Sequence, residues 1–160
     1  MTISVGDRLP DASFMTMTAE GPQKVSVSEV FGGQKVVLFA VPGAFTPTCH
    51  AKHLPGFIER AGDLKAKGVD RSACLAVNDV FVLGAWAKQL GAQGIMFLAD
   101  GRGEFTRAIG METDPPERAY GPRSERYAMI VDDGKVTALF VEPKPGQAIE
   151  SSAENVLSAL

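Results

Sequence analysis

Apolar and polar residues alternate along this chain with two different periods. Three short runs, "VVLFAV" (36–41), "ACLAVN" (73–78) and "IMFLA" (95–99), are apolar almost throughout, which predicts strands covered on both faces. Between them, residues 47–67 and 80–91 carry apolar side chains at helical spacing, Leu54, Phe57, Ile58, Ala61 and Leu64 among them. A short helix is expected near 103–109. Asn78-Asp79 suits the cap of the second long helix, and the spacing of Phe81, Val82 and Trp86 places them in the core. Further along, "RYAMIVDDGKVTALFVE" presents two apolar runs around Asp133-Gly134, a pair that accepts the positive φ of a tight hairpin turn, so two antiparallel strands are expected. "SSAENVLSAL" supplies a last helix capped by Ser151 or Ser152.

The resulting order, β-α-β-α-(α)-β-β-α, makes an α/β mixed sheet with helices on both faces, the thioredoxin-like order. Residues 1–34, with "EGPQ" at a turn and "FGGQ" just before the first core strand, read as an N-terminal β-hairpin extension with a short helical turn. A single domain, 1–160, with its core from about residue 35, is expected. Residues 111–125, "METDPPERAYGPRSE", form a polar, Pro-rich loop before the hairpin. At 160 residues, 45% hydrophobic and 22% charged, the chain can bury a core without staples. A net charge of −3 with no basic stripe argues against a nucleic-acid partner and against a polybasic membrane anchor. No basic segment leads into an apolar run at the N-terminus, and no run approaches the ~18 apolar residues of a membrane helix. A cytoplasmic location is the expectation, and there two distant cysteines are thiols rather than a structural disulfide.

The chemistry concentrates in residues 41–56, "VPGAFTPTCHAKHLPG", which hold one of two cysteines and both histidines. In sheets of this kind reactive groups collect beyond the C-terminal ends of the parallel strands. With Thr46 as N-cap and Pro47 at the first helical position, Cys49 falls in the first turn, where free backbone N–H groups and the helix dipole favour a thiolate. The dipole alone does not suffice, so a cation is wanted. His50 follows Cys49 directly and points elsewhere, into solvent; His53, four residues on, shares its face. Arg126, at the mouth of "YAMIV", is the better candidate, because that strand belongs beside 36–41 and Arg stays charged. Pro55 either kinks the helix or, with Gly56, ends one helix and starts another.

"PGAFTPTC" resembles the P-x-x-x-T-x-x-C motif of the peroxiredoxins in its type II, peroxiredoxin-5-like form, and the likeness continues through "KHLPGF", "ACLAVNDVFVLGAW", "LADGRGEFTRAIG" and "RYAMIVDDGKV". The resemblance implies a thiol peroxidase in which Cys49 is the peroxide-reacting nucleophile, Thr46 its hydroxyl partner, Arg126 the cation facing thiolate and peroxide, and Pro42 the shield of the pocket. Thr46, Cys49 and Arg126 would bind hydrogen peroxide or a small alkyl hydroperoxide, and the product is a sulfenic acid at Cys49. It also implies a homodimer, with Phe45 and the region of Trp86 near the contact, and no metal or organic cofactor. Relatives with an internal resolving cysteine carry it before the last helix, where this chain reads "GQAIESS". Cys74, in a strand, reads as a buried hydrophobe. A one-cysteine cycle with an external thiol follows: glutathione with glutaredoxin first, thioredoxin second.

Other classes fare worse. A thioredoxin-type oxidoreductase wants Cys-x-x-Cys, and the tetrad is Cys49-His50-Ala51-Lys52. A Cys-His hydrolase lacks a third orienting group, and a metal site on Cys49, His50 and His53 lacks a fourth ligand. A peroxide sensor that hands its oxidation to a client protein remains open; it would stall after one equivalent of peroxide.

Overall fold

The computed structural model describes residues 2–92, 94–144 and 146–160. Its strands are β1 (Ser13–Thr18), β2 (Gly21–Ser26), β3 (Lys35–Ala40), β4 (Arg71–Ala76), β5 (Met96–Ala99), β6 (Glu112–Thr113), β7 (Arg123–Ser124), β8 (Tyr127–Asp132) and β9 (Lys135–Val141). Its α-helices are α1 (Val27–Phe31), α2 (Leu54–Glu59), α3 (Ala61–Ala66), α4 (Val80–Leu90), α5 (Glu104–Ala108) and α6 (Ala153–Ser158). The main sheet has the order β2-β1-β5-β4-β3-β8-β9. β3, β4 and β5 run parallel, and the flanking pairs are antiparallel. This is the thioredoxin-like mixed sheet, with the N-terminal hairpin joined to it through Met15 and Ala99.

The pleat of β3 divides the core. Val37, Phe39 and Val41 point into one cluster with Leu54, Phe57, Leu64, Trp86 and Val156, beneath α2, α3, α4 and α6. Val36, Leu38 and Ala40 point into the other with Val30, Phe31 and Phe105, beneath α1 and α5. Every residue from Val36 to Val41 is fully buried, and each large side chain so placed stabilises the fold by roughly 1.5–3 kcal/mol. Phe39 and Phe57 stack with ring centroids 3.9 Å apart, pressing α2 onto β3. No helix among the described residues is long and apolar enough to cross a membrane.

The structure alters several local expectations. The helix from Pro47 does not end at Pro55. It widens into a π-helical turn over Cys49–His53, in which the Leu54 N–H reaches back five residues to the Cys49 carbonyl, and α2 continues from there. Pro55 has no N–H to give and its ring would press on the carbonyl four residues back; a wide turn just before it relieves both problems. The break comes later, at Arg60 (φ −100°, ψ 10°). The first hairpin reverses at Ala19-Glu20 rather than at "EGPQ": Thr18 pairs with Gly21 and Pro22 with Met17 on edge strand β2, where its missing donor costs nothing. Residues 111–125 are not simply a loop, since β6 and β7 pair and Pro116–Arg118 form a 3-10 turn between them. Phe81 is 66% exposed, because α4 buries the stripe Val80, Leu83 and Trp86 and turns Phe81 aside. The Asp133-Gly134 turn has the expected positive φ at both residues, 49° and 78°. Ser152 caps α6, and Asp79 caps α4.

Candidate active site

Antiparallel register brings the two ends of the site together. β3 pairs with β8 so that Ala40 lies opposite Tyr127, which puts Arg126 beside the loop that leaves β3 and carries Pro42, Thr46 and Cys49. Arg126 is 3% exposed, and its Nη2 donates to Cys49 Sγ at 3.0 Å. A cation donating to sulfur at that distance stabilises negative charge there. Cys49 itself is fully buried, at the first turn of its helix, as the sequence suggests.

His53 is not the second cation. Its Nε2 lies 2.9 Å from the Ser151 carbonyl and its Nδ1 2.9 Å from Arg126 Nη1. A carbonyl only accepts and a guanidinium only donates, so the proton sits on Nε2 and Nδ1 accepts from Arg126. Burial, then the Arg126 charge, hold the His53 pKa down at about 3, so the ring is neutral. The chain of contacts continues: Ser151 donates its backbone N–H and hydroxyl to Glu142 Oε2 at 3.0 and 2.7 Å, and the Glu142 N–H donates to the Arg126 carbonyl at 3.0 Å. Burial acts to raise the Glu142 carboxyl, but the donors from Ser151 and Glu150 outweigh it and hold it below its ordinary value. Arg126, His53, Ser151 and Glu142 therefore close a ring.

The loop between β3 and the helix is pinned from two sides and braced within itself. Asn78 Oδ1 accepts from the Ala44 N–H at 3.0 Å, a task beyond the helix cap expected of the Asn78-Asp79 pair. Arg123 Nη1 donates to the Pro42 carbonyl at 3.2 Å, and a Cβ on Gly43 would meet that same nitrogen at 2.7 Å, so the glycine admits it. Thr46 does not cap with its proton: the hydroxyl donates to the Gly43 carbonyl at 2.7 Å, leaving its oxygen as an acceptor. Phe45 sits at φ 65°, a conformation that costs an L-residue of order 1–3 kcal/mol and gathers at functional sites. His50 is half-buried rather than solvated: its Nδ1 accepts from Trp86 Nε1 at 3.0 Å, and Phe45 stacks on its ring.

A mouth of about 280 Å³ opens at this site, lined by Pro42, Thr46, Pro47, Thr48, Arg118, Tyr120, Arg126 and Gly146. Pro42 is thus in the wall, where the resemblance puts it. Cys74 is fully buried in β4, opposite Phe39, and burial followed by the proximity of Cys49 pushes its thiol up, which keeps it protonated. Both cysteines are free. Among the described residues no three His, Cys, Asp or Glu side chains gather as a metal site. His53 as a neutral acceptor, Glu142, Ser151, Asn78, Arg118 and Arg123 were not found from the sequence; only the spacing of His53 from Cys49 carried a signal.

A nucleophilic sulfur at a helix N-terminus on this sheet, faced by a guanidinium from the neighbouring antiparallel strand, defines a thiol-based redox protein. The Redoxin family model matches residues 4–157. Peroxiredoxin-2E-2, chloroplastic, of Oryza sativa subsp. japonica is 53% identical over 99% of this chain and 73% of its own length. Reduced Prx3 from Vibrio vulnificus, solved in complex with H2O2, superposes with a TM-score of 0.94 at 50% identity, covering 99% of both chains. Peroxiredoxin 5 from Alvinella pompejana gives 0.86 at 36% identity, covering 98% of this chain and 97% of its own. The chain belongs to the Redoxin family, and within it to the type II, peroxiredoxin-5-like peroxiredoxins, which are thiol peroxidases.

Proposed function

We propose that this chain reduces hydrogen peroxide and small alkyl hydroperoxides at Cys49 in a one-cysteine cycle closed by an external thiol, glutathione with glutaredoxin or, second, thioredoxin. The observation that carries it is the 3.0 Å donation from Arg126 to Cys49 Sγ in a buried site. The Cys49 thiolate attacks one peroxide oxygen; the S–O bond forms, the O–O bond breaks, and the departing hydroxide or alkoxide takes up a proton. A free thiol is already a few per cent thiolate at neutral pH, so ionisation can gain at most about thirtyfold for any thiol, and most of the acceleration rests on groups that hold charge as the O–O bond stretches. Arg126 is that group. Thr46, its proton given to Gly43, accepts the peroxide O–H and aims the molecule, while Pro42 excludes water from the wall. The superposition on a relative solved with H2O2 supports the same reading.

The external thiol is proposed because Cys74 lies fully buried in the middle of the sheet. A reducing compartment, the cytoplasm, suits two free thiols. A homodimer is proposed through the face that displays Phe45, 43% exposed beside the site. The test is intact mass of the protein and of Cys74→Ser after one equivalent of peroxide, with and without glutathione. A glutathione adduct confined to Cys49 is expected, and Cys49→Ser is expected to abolish turnover. Arg126→Ala should slow the oxidation step about a hundredfold or more. An internal disulfide between Cys49 and Cys74 would overturn the one-cysteine cycle, and a stall after one equivalent with every reductant would leave a sensor instead.

A further inference from the structure

Hydrogen peroxide needs little room. A water's share of the liquid is about 30 Å³, and the mouth of the Cys49 site, at about 280 Å³, is several times what a two-oxygen molecule fills. Among the described residues its wall contains two guanidiniums, Arg118 and Arg126, and no carboxylate, in a chain whose net charge is −3. Arg126 is engaged with Cys49 and His53, and the adjacent Arg123 with the Pro42 carbonyl and the face of Tyr120, 5.4 Å from its centroid. Arg118 is different. Arg60, Arg102 and Arg107 each have an ion pair and Arg8 and Arg71 donate to backbone carbonyls, whereas the Arg118 guanidinium has neither an ion pair nor a hydrogen bond among the described residues, even with Asp114 and Glu117 exposed on its own loop.

We propose that Arg118 builds a carboxylate subsite in the mouth, which binds the carboxylate of the small anionic thiol that reduces the Cys49 sulfenic acid. It rests on the reading of Cys49 as recycled by glutathione. The charge that develops in the peroxide step lies on the oxygen leaving Cys49, and Arg126 faces it; Arg118 makes no contact with the sulfur, so it serves a group held away from the reacting atom. Glutathione carries its carboxylates at a distance from its thiol, and Arg offers a planar pair of donors to them. The step balances: the thiol sulfur bonds to Cys49 Sγ, the S–O bond breaks and water leaves, giving a mixed disulfide. A second thiol then displaces Cys49 as thiolate and leaves with the first as a disulfide.

The test oxidises the protein with one equivalent of hydrogen peroxide and follows the reduction by stopped flow on the sole tryptophan, Trp86, which is hydrogen-bonded to the residue after Cys49. Glutathione is compared with its diester, whose carboxylates are masked. In Arg118→Gln the glutathione rate is expected to fall about tenfold while the diester changes by less than about twofold, and Arg118→Lys should recover most of the loss. In the unaltered protein the glutathione rate should fall with added salt more steeply than the diester rate. Equal effects on both thiols, or none, would overturn the subsite while leaving glutathione as reductant. A loss confined to oxidation by a carboxylate-bearing hydroperoxide would overturn it by assigning Arg118 to the oxidant. If the sulfenic acid ignores glutathione altogether, the reductant reading falls and the subsite with it.

Discussion

His53 shows how a single ring can serve a sulfur it does not touch. Its Nδ1 takes one Arg126 nitrogen, which leaves the other aimed at Cys49. Neutrality is the condition, because a protonated ring would turn a donor at Nδ1 toward a guanidinium that has only donors. With a folded-state pKa of about 3 against an ordinary 6.5, the unfolded chain binds a proton here that the folded chain refuses. Stability is therefore lost as pH falls from 6.5 toward 3. Glu142, held below its ordinary 4.5, contributes stability above that value that is also lost as pH falls through its folded pKa, so the two add in sign. His53→Gln keeps an acceptor and a donor but does not titrate, so thermal unfolding between pH 6.5 and 4.5 should become distinctly less pH-dependent than in the parent. An unchanged slope would mean that another group sets the acid limb.

At the scale of elements, the site is a loop held between strands. The turn that follows β4 reaches across to the loop that follows β3 through Asn78 and the Ala44 N–H, so two neighbouring crossovers are tied where they leave the sheet. Asn78→Ala strands a part-buried donor and should cost about 1–2 kcal/mol by chemical denaturation, with slower peroxide reduction as the loop loosens. Equal activity would show that Arg123 alone suffices to hold it. Most of these elements were legible in the sequence. β3 is covered on both faces and reads as an unbroken apolar run, and Asp133-Gly134 announced its hairpin through backbone geometry. The pairing of Cys49 with Arg126 followed because strand adjacency decides it. The π turn was not legible, since it answers a steric conflict between Pro55 and a carbonyl that only a built helix contains. Nor was the state of His53, which depends on desolvation and on a carbonyl 98 residues away; the β6–β7 ribbon is too short to show a period.

At the scale of the whole molecule, a strained and half-exposed Phe45 leans on His50, which in turn holds Trp86. The proposed homodimer would cover that ring, so Phe45→Glu should sediment as a monomer where the parent sediments as a dimer. Identical sedimentation would place any self-association elsewhere.

The closed circuit from Arg126 through His53, Ser151 and Glu142 has an effect far from the mouth. Because the segment before α6 supplies the carbonyl that orients the imidazole, whatever grips residues 146–152 also has a hand on the guanidinium. An antibody or a protease acting there is expected to slow peroxide reduction toward the level of Arg126→Ala, without ever approaching the sulfur.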